Sequence, residues 1–146
     1  MKAGFDFTAI STPFYCIDGQ GNILLHLRSD NCRDEQGTWD CGSGRLGFAE
    51  DPRQGVLREV REEYGCQGEI LEQLEYYSIV RLHNGQTTHW IALPFIIKIK
   101  REEAVNNEPD KIERIQWFEI NKLPEPLHQG FSFGVNKYKS KILKYS

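Results

Sequence analysis

Residues 44–66 read GRLGFAEDPRQGVLREVREEYGC, and the middle of this stretch carries the signals of an amphipathic helix. Asp51 is a good N-cap and Pro52 suits the first helical position, whereas Gly65 is a natural residue just past a helix end. Between them, four apolar side chains recur on one face at helical spacing: Val56, Leu57, Val60 and Tyr64. The pattern predicts a helix from Asp51 to about Tyr64 whose apolar face packs on a sheet.

Three carboxylates stand together on this predicted helix. Glu59, Glu62 and Glu63 lie at positions i, i+3 and i+4, within one arc of about 100° beside the apolar face. Carboxylates this close repel each other unless a cation or an arginine such as Arg58 lies between them. Hard cations such as Mg²⁺ prefer carboxylate oxygens, so the cluster is a candidate Mg²⁺ platform with room for a substrate phosphate. Taken alone, a glutamate-rich helix is more often a solvated face than a metal site.

The spacing of the whole stretch decides between these interpretations. It matches the Nudix box, G-x5-E-x7-R-E-U-x-E-E-x-G-U with U an aliphatic residue, at every fixed Gly, Glu and Arg. The chain therefore resembles the Nudix hydrolase family, over roughly residues 12–128. The resemblance implies an α+β Nudix fold, an α/β/α sandwich with a mixed β-sheet, in which the box forms a catalytic loop–helix–loop.

The resemblance also implies a reaction, namely hydrolysis of a pyrophosphate bond in a nucleoside diphosphate linked to another group. Carried over by position, Glu59, Glu62 and Glu63 are catalytic residues that bind Mg²⁺, for which Mn²⁺ is a substitute. A backbone carbonyl of Gly44 or Ser43 completes the metal site. Metal ions at such a site neutralise the diphosphate and activate water for attack at phosphorus.

Two further roles follow from the same resemblance. Arg58 is a catalytic residue that orients a carboxylate, with Glu50 as its partner. A glutamate from a loop outside the box assists as base or ligand in several family members, and Glu108 is the candidate here, with Glu113 second. A solvated loop acid is the alternative for either glutamate.

The box departs from the common family pattern at three positions. Ser43 precedes Gly44 where many members have a second glycine, and Gly47 stands where many have a glutamate. Cys66 replaces the usual aliphatic residue, which predicts a small buried side chain. These departures leave the metal-binding carboxylates intact.

Residues outside the box set the substrate, and they give no clear specificity code. Arg81 and His83, beside an Asn84-Gly85 turn, are the candidate substrate-binding residues, although side chains at hairpin tips are often simply exposed. A nucleoside triphosphate is favoured over ADP-ribose, a nucleotide sugar or a dinucleoside polyphosphate, because the chain is short and lacks an obvious extra N-terminal domain. Capped or triphosphorylated RNA ends rank lower. The alternative of another class is a non-catalytic nucleotide-binding sensor or regulatory module on the same fold.

The remaining pattern predicts one domain, residues 1–146, with strands on both sides of the helix. Apolar runs predict a hairpin of residues 13–18 and 22–28, two long strands over residues 68–82 and 87–99 around the Asn84-Gly85 turn, a strand over residues 114–120 and a final helix over residues 131–144. Pro94 suggests an edge position or a bulge in its strand.

Composition excludes several classes of protein. The 146 residues carry a net charge of −3, which argues against bulk binding to nucleic acid, and 39% hydrophobic content supports a folded core. No run approaches the ~20 apolar residues of a membrane span, and the N-terminus is a poor signal peptide. We therefore expect a cytoplasmic protein with four reduced cysteines and a small nucleotide substrate; the sequence leaves a homodimer open.

Overall fold

The computed structural model describes residues 1–146 and contains nine strands, two α-helices and one short 3₁₀ helix. The strands are Ala9–Ser11 (β1), Phe14–Ile17 (β2), Asn22–Arg28 (β3), Trp39–Asp40 (β4), Glu69–Gln73 (β5), Tyr77–His83 (β6), Gln86–Ala92 (β7), Phe95–Lys98 (β8) and Ile112–Glu119 (β9). The α-helices are Pro52–Tyr64 (α1) and Gln129–Tyr145 (α2), and Arg101–Glu103 forms the 3₁₀ turn.

A mixed central sheet has the strand order β4-β3-β2-β8-β5, and β9 pairs with β3. The predicted hairpin is present, since β2 and β3 pair antiparallel with Cys16 opposite Leu24. β8 joins β2 in parallel, with Phe14 opposite Phe95. The loop before α1 runs beside the same strands, because the Phe14 N–H donates to the Gly42 carbonyl. The segment just before the box is therefore anchored to the central sheet.

Alternate residues of the central strands face opposite layers, as period-two geometry requires. Phe14, Cys16 and Leu24 pack against the apolar face of α1. Their sequence neighbours Tyr15, Ile17 and Ile23, together with further residues of the sheet, pack against α2. The result is the predicted α/β/α sandwich with a mixed sheet.

The capping signals around α1 are confirmed. The Asp51 side chain accepts hydrogen bonds from the N–H groups of Arg53 and Gln54, and Pro52 is the first helical residue. Gly65 has a positive φ of 65°, and its N–H donates to the Arg61 carbonyl. Only a residue that tolerates the left-handed region ends a helix in this way without strain.

The cysteines are as predicted. All four are buried free thiols. Cys66 packs in the cluster that covers the apolar face of α1, so it takes the place of the usual aliphatic residue at the end of the box.

The prediction of two long strands over residues 68–82 and 87–99 is wrong in extent. Each is broken, because the chain leaves the central sheet at β5, forms the β6–β7 hairpin, and re-enters the central sheet at β8. The hairpin and β1 make a separate sheet of order β1-β7-β6. Pro94 lies in the break between β7 and β8 rather than in an edge strand, and its carbonyl accepts the Leu74 N–H.

The predicted Asn84-Gly85 turn connects β6 to β7, and both residues have positive φ, 50° and 80°. β9 begins two residues before the predicted strand 114–120 and ends one residue short of it. α2 extends beyond the predicted 131–144 by two residues at its start and one at its end. Neither helix is long and apolar enough to cross a membrane.

Candidate active site

The C-terminal half of α1 carries four of the five charged residues that the box pattern fixes. Val60 and Tyr64 are fully buried against the central sheet and fix the rotation of the helix. With that face buried, Glu59 and Glu63 turn toward the loop before α1, and Glu62 lies nearer the solvent with 52% of its side chain exposed. The helix thus separates the three glutamates into two sheltered carboxylates and one exposed carboxylate.

Arg58 holds three carboxylates at once. Its Nε and Nη2 donate to the two Glu50 oxygens over 2.7 and 2.9 Å, the bidentate pair that the resemblance implies. Its Nη1 donates to Glu59 Oε1 over 2.7 Å and to both Glu62 oxygens over 3.1 Å. Hydrogen bonds from Arg58, and then from the Gly47 N–H, lower the pKa of Glu50 to about 2. Arg58 thereby fixes the loop before α1 to the carboxylates on the helix.

Glu63 is buried, with 6% of its surface exposed. One carboxylate oxygen accepts the Ser43 N–H over 3.3 Å. Burial raises the pKa of Glu63 well above its ordinary value, and the carboxylates of Glu59 and Glu108 raise it further. A buried carboxyl group facing two others is a site where a cation would be strongly favoured.

Gly44, the first residue of the box, is required by a close approach. A Cβ added there would overlap the Glu59 carboxyl carbon, so any side chain at this position would displace the carboxylate. The Gly44 carbonyl accepts the Thr12 N–H over 2.8 Å, whereas the Ser43 carbonyl accepts no backbone hydrogen bond. Of the two carbonyls predicted as metal ligands, that of Ser43 is therefore the freer.

Glu108 lies near the carboxylates of α1, although it comes from a distant part of the chain. The segment that carries it closes over the end of α1, because the Val105 N–H donates to the Tyr64 carbonyl and the Asn107 N–H to the Glu63 carbonyl. The Asn107 side-chain amide donates to two more carbonyls of the last helical turn. These bonds satisfy the carbonyls that a helix end leaves free, and they deliver Glu108 to the carboxylate side of the helix.

The sheltered carboxylates line one cavity of about 440 Å³, here called the carboxylate cavity. Glu59, Glu63 and Glu108 line it together with Asp34 and Asp40, while Glu62 and Glu113 do not line it. Burial raises the pKa values of Glu59 and Glu108 as well, and hydrogen bonds from Arg58 oppose the rise at Glu59. The structure thus brings together two of the three glutamates predicted on the helix and the loop glutamate predicted outside the box.

The donor chemistry of this cavity fits a hard divalent cation, although its side chains are not gathered into a closed site. No three His, Cys, Asp or Glu side chains lie in a ready metal-binding arrangement. Instead, Arg58 occupies oxygens of Glu59 and Glu62. Three carboxylates that repel one another beside a free carbonyl are the oxygen donors that Mg²⁺ prefers.

A second cavity of about 590 Å³ adjoins the first and is here called the aromatic cavity. Aromatic side chains from four segments contribute to its wall: Phe5, Tyr77, Trp90 and Phe131. Arg81 and His83, the predicted substrate-binding residues, line it from β6. Asp40 and Ser43 line both cavities, so the two spaces meet at the loop that precedes the box.

A charged group that no sequence pattern indicates lies where the cavities meet. Asp40 is buried; its Oδ2 accepts from Arg28 over 3.3 Å, and its Oδ1 lies 3.6 Å from His128 Nδ1. Burial raises the pKa of Asp40, and His128 and Arg28 oppose that rise. His128 also contacts Glu35 over 2.9 Å. His128 is far from the other three in sequence and the group matches no motif, so only the folded chain reveals this association.

A profile of the NUDIX domain matches residues 9–135, nearly the whole chain. The chain belongs to the Nudix hydrolase family. As a Nudix hydrolase it is an enzyme of the class that cleaves pyrophosphate bonds, so the prediction from the box is confirmed for family, fold and enzyme class.

Similar proteins agree with this membership. An RNA pyrophosphohydrolase of Gluconacetobacter diazotrophicus is 30% identical, and the match covers 74% of this Nudix hydrolase and 75% of that protein. An NAD-capped RNA hydrolase NudC of Pseudomonas aeruginosa is also 30% identical, over 81% of this chain and 39% of its own. The crystal structure of a MutT NUDIX hydrolase from Burkholderia pseudomallei has a TM-score of 0.78 at 26% identity, covering 90% of this chain and 98% of that one.

Proposed function

We propose that this Nudix hydrolase cleaves a nucleoside triphosphate at a pyrophosphate bond, with Mg²⁺ as its cofactor. The observation that supports this most directly is the contact between two unlike cavities. One is lined by carboxylates and the other by aromatic rings, and they share the wall formed by Asp40 and Ser43. A ligand with a polyphosphate at one end and a flat heterocyclic base at the other matches that pair of environments.

In this proposal Glu59 and Glu63 hold the cation, together with the Ser43 carbonyl or, less favourably, that of Gly44. Bound there, a divalent cation neutralises the diphosphate and lowers the pKa of a bound water. Glu62 joins these ligands if Arg58 releases it, because Arg58 Nη1 now bonds both of its oxygens.

Glu108 is the proposed base that takes the proton from the attacking water. It is half-buried on the loop that covers the end of α1, so it can move without disturbing the helix. Its pKa is raised by burial and then by Glu62, which brings it nearer to the range in which a carboxylate works as a base at neutral pH. Glu63, in contrast, is buried on the helix itself and has no such freedom to move.

The aromatic cavity is the proposed nucleoside site. Trp90 and Phe5 line it and are the rings proposed to contact the base, and Arg81 offers a cation for the phosphate nearest the nucleoside. His83 lies edge-on to Phe5 with ring centroids 6.0 Å apart, so it helps to hold that ring in place.

A second candidate substrate is the 5′-triphosphate end of RNA. It is supported by two relatives named RNA pyrophosphohydrolase, at 30% and 29% identity. The chemistry at phosphorus is the same for both substrates, and they differ only in whether the first nucleoside carries a further RNA chain.

A substrate panel with Mg²⁺ or Mn²⁺ tests the proposal. It compares dGTP, ADP-ribose, and a short RNA bearing a 5′-triphosphate, with product analysis for nucleoside monophosphate, pyrophosphate and phosphate. We expect a nucleoside monophosphate and pyrophosphate from dGTP at the highest kcat/KM. Preference for the RNA end would favour the second candidate. Binding of these ligands without any release would favour the nucleotide sensor instead.

A further inference from the structure

Arg33 lies in the loop of residues 29–38 between β3 and β4, and its side chain lines both cavities. Four residues share this position, and the other three are Asp34, Asp40 and Ser43. Arg33 is therefore the one cation that borders the carboxylate cavity and the aromatic cavity together. Any ligand that extends from one cavity into the other passes beside it.

The loop that carries Arg33 is tied down on both sides of it. Before it, the buried Cys32 donates its thiol to the Lys111 carbonyl over 3.3 Å. After it, Asp34 accepts from Arg28 over 2.8 Å, and one oxygen of Glu35 accepts the Gln129 N–H at the start of α2 over 2.9 Å. The backbone at Arg33 is thus fixed by neighbours that contact three other segments.

The Arg33 guanidinium is free, in contrast to the other arginines of the site. Arg28 is engaged by Asp34 and Asp40, and Arg58 is engaged by three glutamates. Arg33 makes no ion pair, hydrogen bond or cation–π contact, and its side chain is exposed. Because Asp34 and Asp40 both pair with Arg28, Arg33 is the one cation where the cavities meet that no carboxylate engages.

We propose that Arg33 binds the diphosphate of the substrate where it passes from the carboxylate cavity to the aromatic cavity. This assignment rests on the proposed function for the ligand's orientation. A guanidinium presents a planar fork of N–H donors that matches phosphate oxygens, and it stays charged at any working pH. The loop that carries Arg33 is already anchored, so binding has to order little of the backbone that supports this side chain.

Other cations in the cavities are less suited to this position. Arg45 and Lys111 line only the carboxylate cavity, and Arg81 and Lys2 line only the aromatic cavity. Lys111 also donates to the Asn31 carbonyl over 3.2 Å. Each can meet one end of a bound nucleotide, whereas Arg33 is placed to meet its middle.

The test measures binding by calorimetry in the presence of Mg²⁺, apart from turnover. The probes are inorganic pyrophosphate and the α,β-methylene analogue of ADP, whose bridging carbon resists hydrolysis. The proteins are the wild type, Arg33→Gln, Arg33→Lys, and Arg53→Gln as a control that removes an exposed arginine of α1 bordering neither cavity. Thermal unfolding of each variant verifies that the fold is kept.

We expect Arg33→Gln to raise Kd for both probes by about 10- to 100-fold, the usual loss for a charged hydrogen bond. Arg33→Lys should recover part of this loss, since it keeps the charge without the fork. Adenosine, which has no phosphate, should bind Arg33→Gln and wild type alike. Arg53→Gln should match the wild type throughout.

The outcomes separate the two proposals. Equal Kd values for Arg33→Gln and wild type, within about twofold, would overturn the assignment of Arg33 and leave the proposed function standing. A strong Arg33 dependence in a protein that hydrolyses nothing in the substrate panel would support the assignment and overturn the proposed function. A wild type that binds neither probe would overturn both.

Discussion

The two cavities differ in where the residues of their walls lie in the sequence. The carboxylate cavity takes Gly44, Glu59 and Glu63 from one stretch of 23 residues, whereas its other acids, Asp34, Asp40 and Glu108, come from elsewhere in the chain. The aromatic cavity takes its rings from four distant segments of the chain. Residues whose chemistry depends on a fixed spacing lie close together on one helix, whereas the residues that shape a nucleoside site are brought together by the tertiary fold. A motif therefore reveals the reaction class sooner than the substrate.

The largest effects should come from the carboxylates themselves. Glu59→Gln and Glu63→Gln each keep the shape of the side chain and remove its charge, so we expect kcat to fall by about 10²- to 10⁴-fold. Steady-state kinetics with saturating Mg²⁺ measures this. Glu69→Gln, at an exposed position of β5, is the control. Turnover within about threefold of wild type in both variants would remove these residues from the mechanism.

Gly44→Ala should be the next most severe change, without altering the fold. The added Cβ displaces the Glu59 carboxylate, which is the flexible end of a side chain. A misplacement of about 1 Å costs on the order of 10²-fold in rate. We expect that loss in kcat/KM, with the free energy of unfolding changed by less than about 1 kcal/mol.

Gly47→Ala is the matched control for Gly44→Ala. A Cβ at Gly47 would meet Glu50 Oε1 at 3.4 Å, an ordinary contact, so its activity should stay close to that of wild type. Equal losses in the two alanine variants would mean that loop flexibility, and not the position of Glu59, decides the rate.

A smaller and different effect is expected in the aromatic cavity. Arg81→Gln should raise KM by about 10-fold, the loss of one charged hydrogen bond, with kcat changed by less than about twofold. The aromatic cavity would then contribute to substrate binding, and the carboxylate cavity to the chemical step. An equal fall in kcat and kcat/KM would show instead that Arg81 acts in the transition state.

The smallest effect at neutral pH concerns His26, which lines the carboxylate cavity and contacts the Tyr64 hydroxyl over 2.7 Å. Burial, and then the positive charges of Arg28 and His128, lower the pKa of His26 to about 3. The unfolded chain takes up this proton near pH 6.5, so the stabilisation is complete above that pH and is lost as the pH falls toward 3.

His26→Gln should therefore flatten the loss of stability in acid. Between about pH 7 and pH 4 the wild type should lose about 3 kcal/mol more of its free energy of unfolding than the variant, as measured by urea denaturation. Parallel curves for the two proteins would show that His26 is protonated normally in the folded state.

The parts of the fold that are predictable from the sequence are those with local causes. Asp51, Pro52 and Gly65 determine the ends of α1 through their own hydrogen bonds and φ preferences. The Asn84-Gly85 turn is equally local. The break at Pro94 is not predictable in this way, because the continuous apolar run hides a change of sheet that depends on contacts with β1 and β2.

The candidate site divides in the same way. The ion pair of Arg58 with Glu50 is expected from the box spacing, and the structure contains it. The position of Glu108 depends on the backbone hydrogen bond from Asn107 to the end of α1, and no periodicity in the sequence predicts such a cap. Asp40 and Arg33 meet the cavities only because several loops converge, so their positions required the folded chain.

The ion-pair network around Arg58 has a consequence for the protein without its metal. Many small metal-binding domains unfold when the ion is removed, because their ligands have no other partner. Here Arg58 bonds Glu50, Glu59 and Glu62 without a metal, so these three carboxylates share one counter-charge when the ion is absent. A chelator should then abolish turnover and remove the stabilisation that the bound ion adds to the folded state, but the protein should stay folded, which thermal unfolding would show.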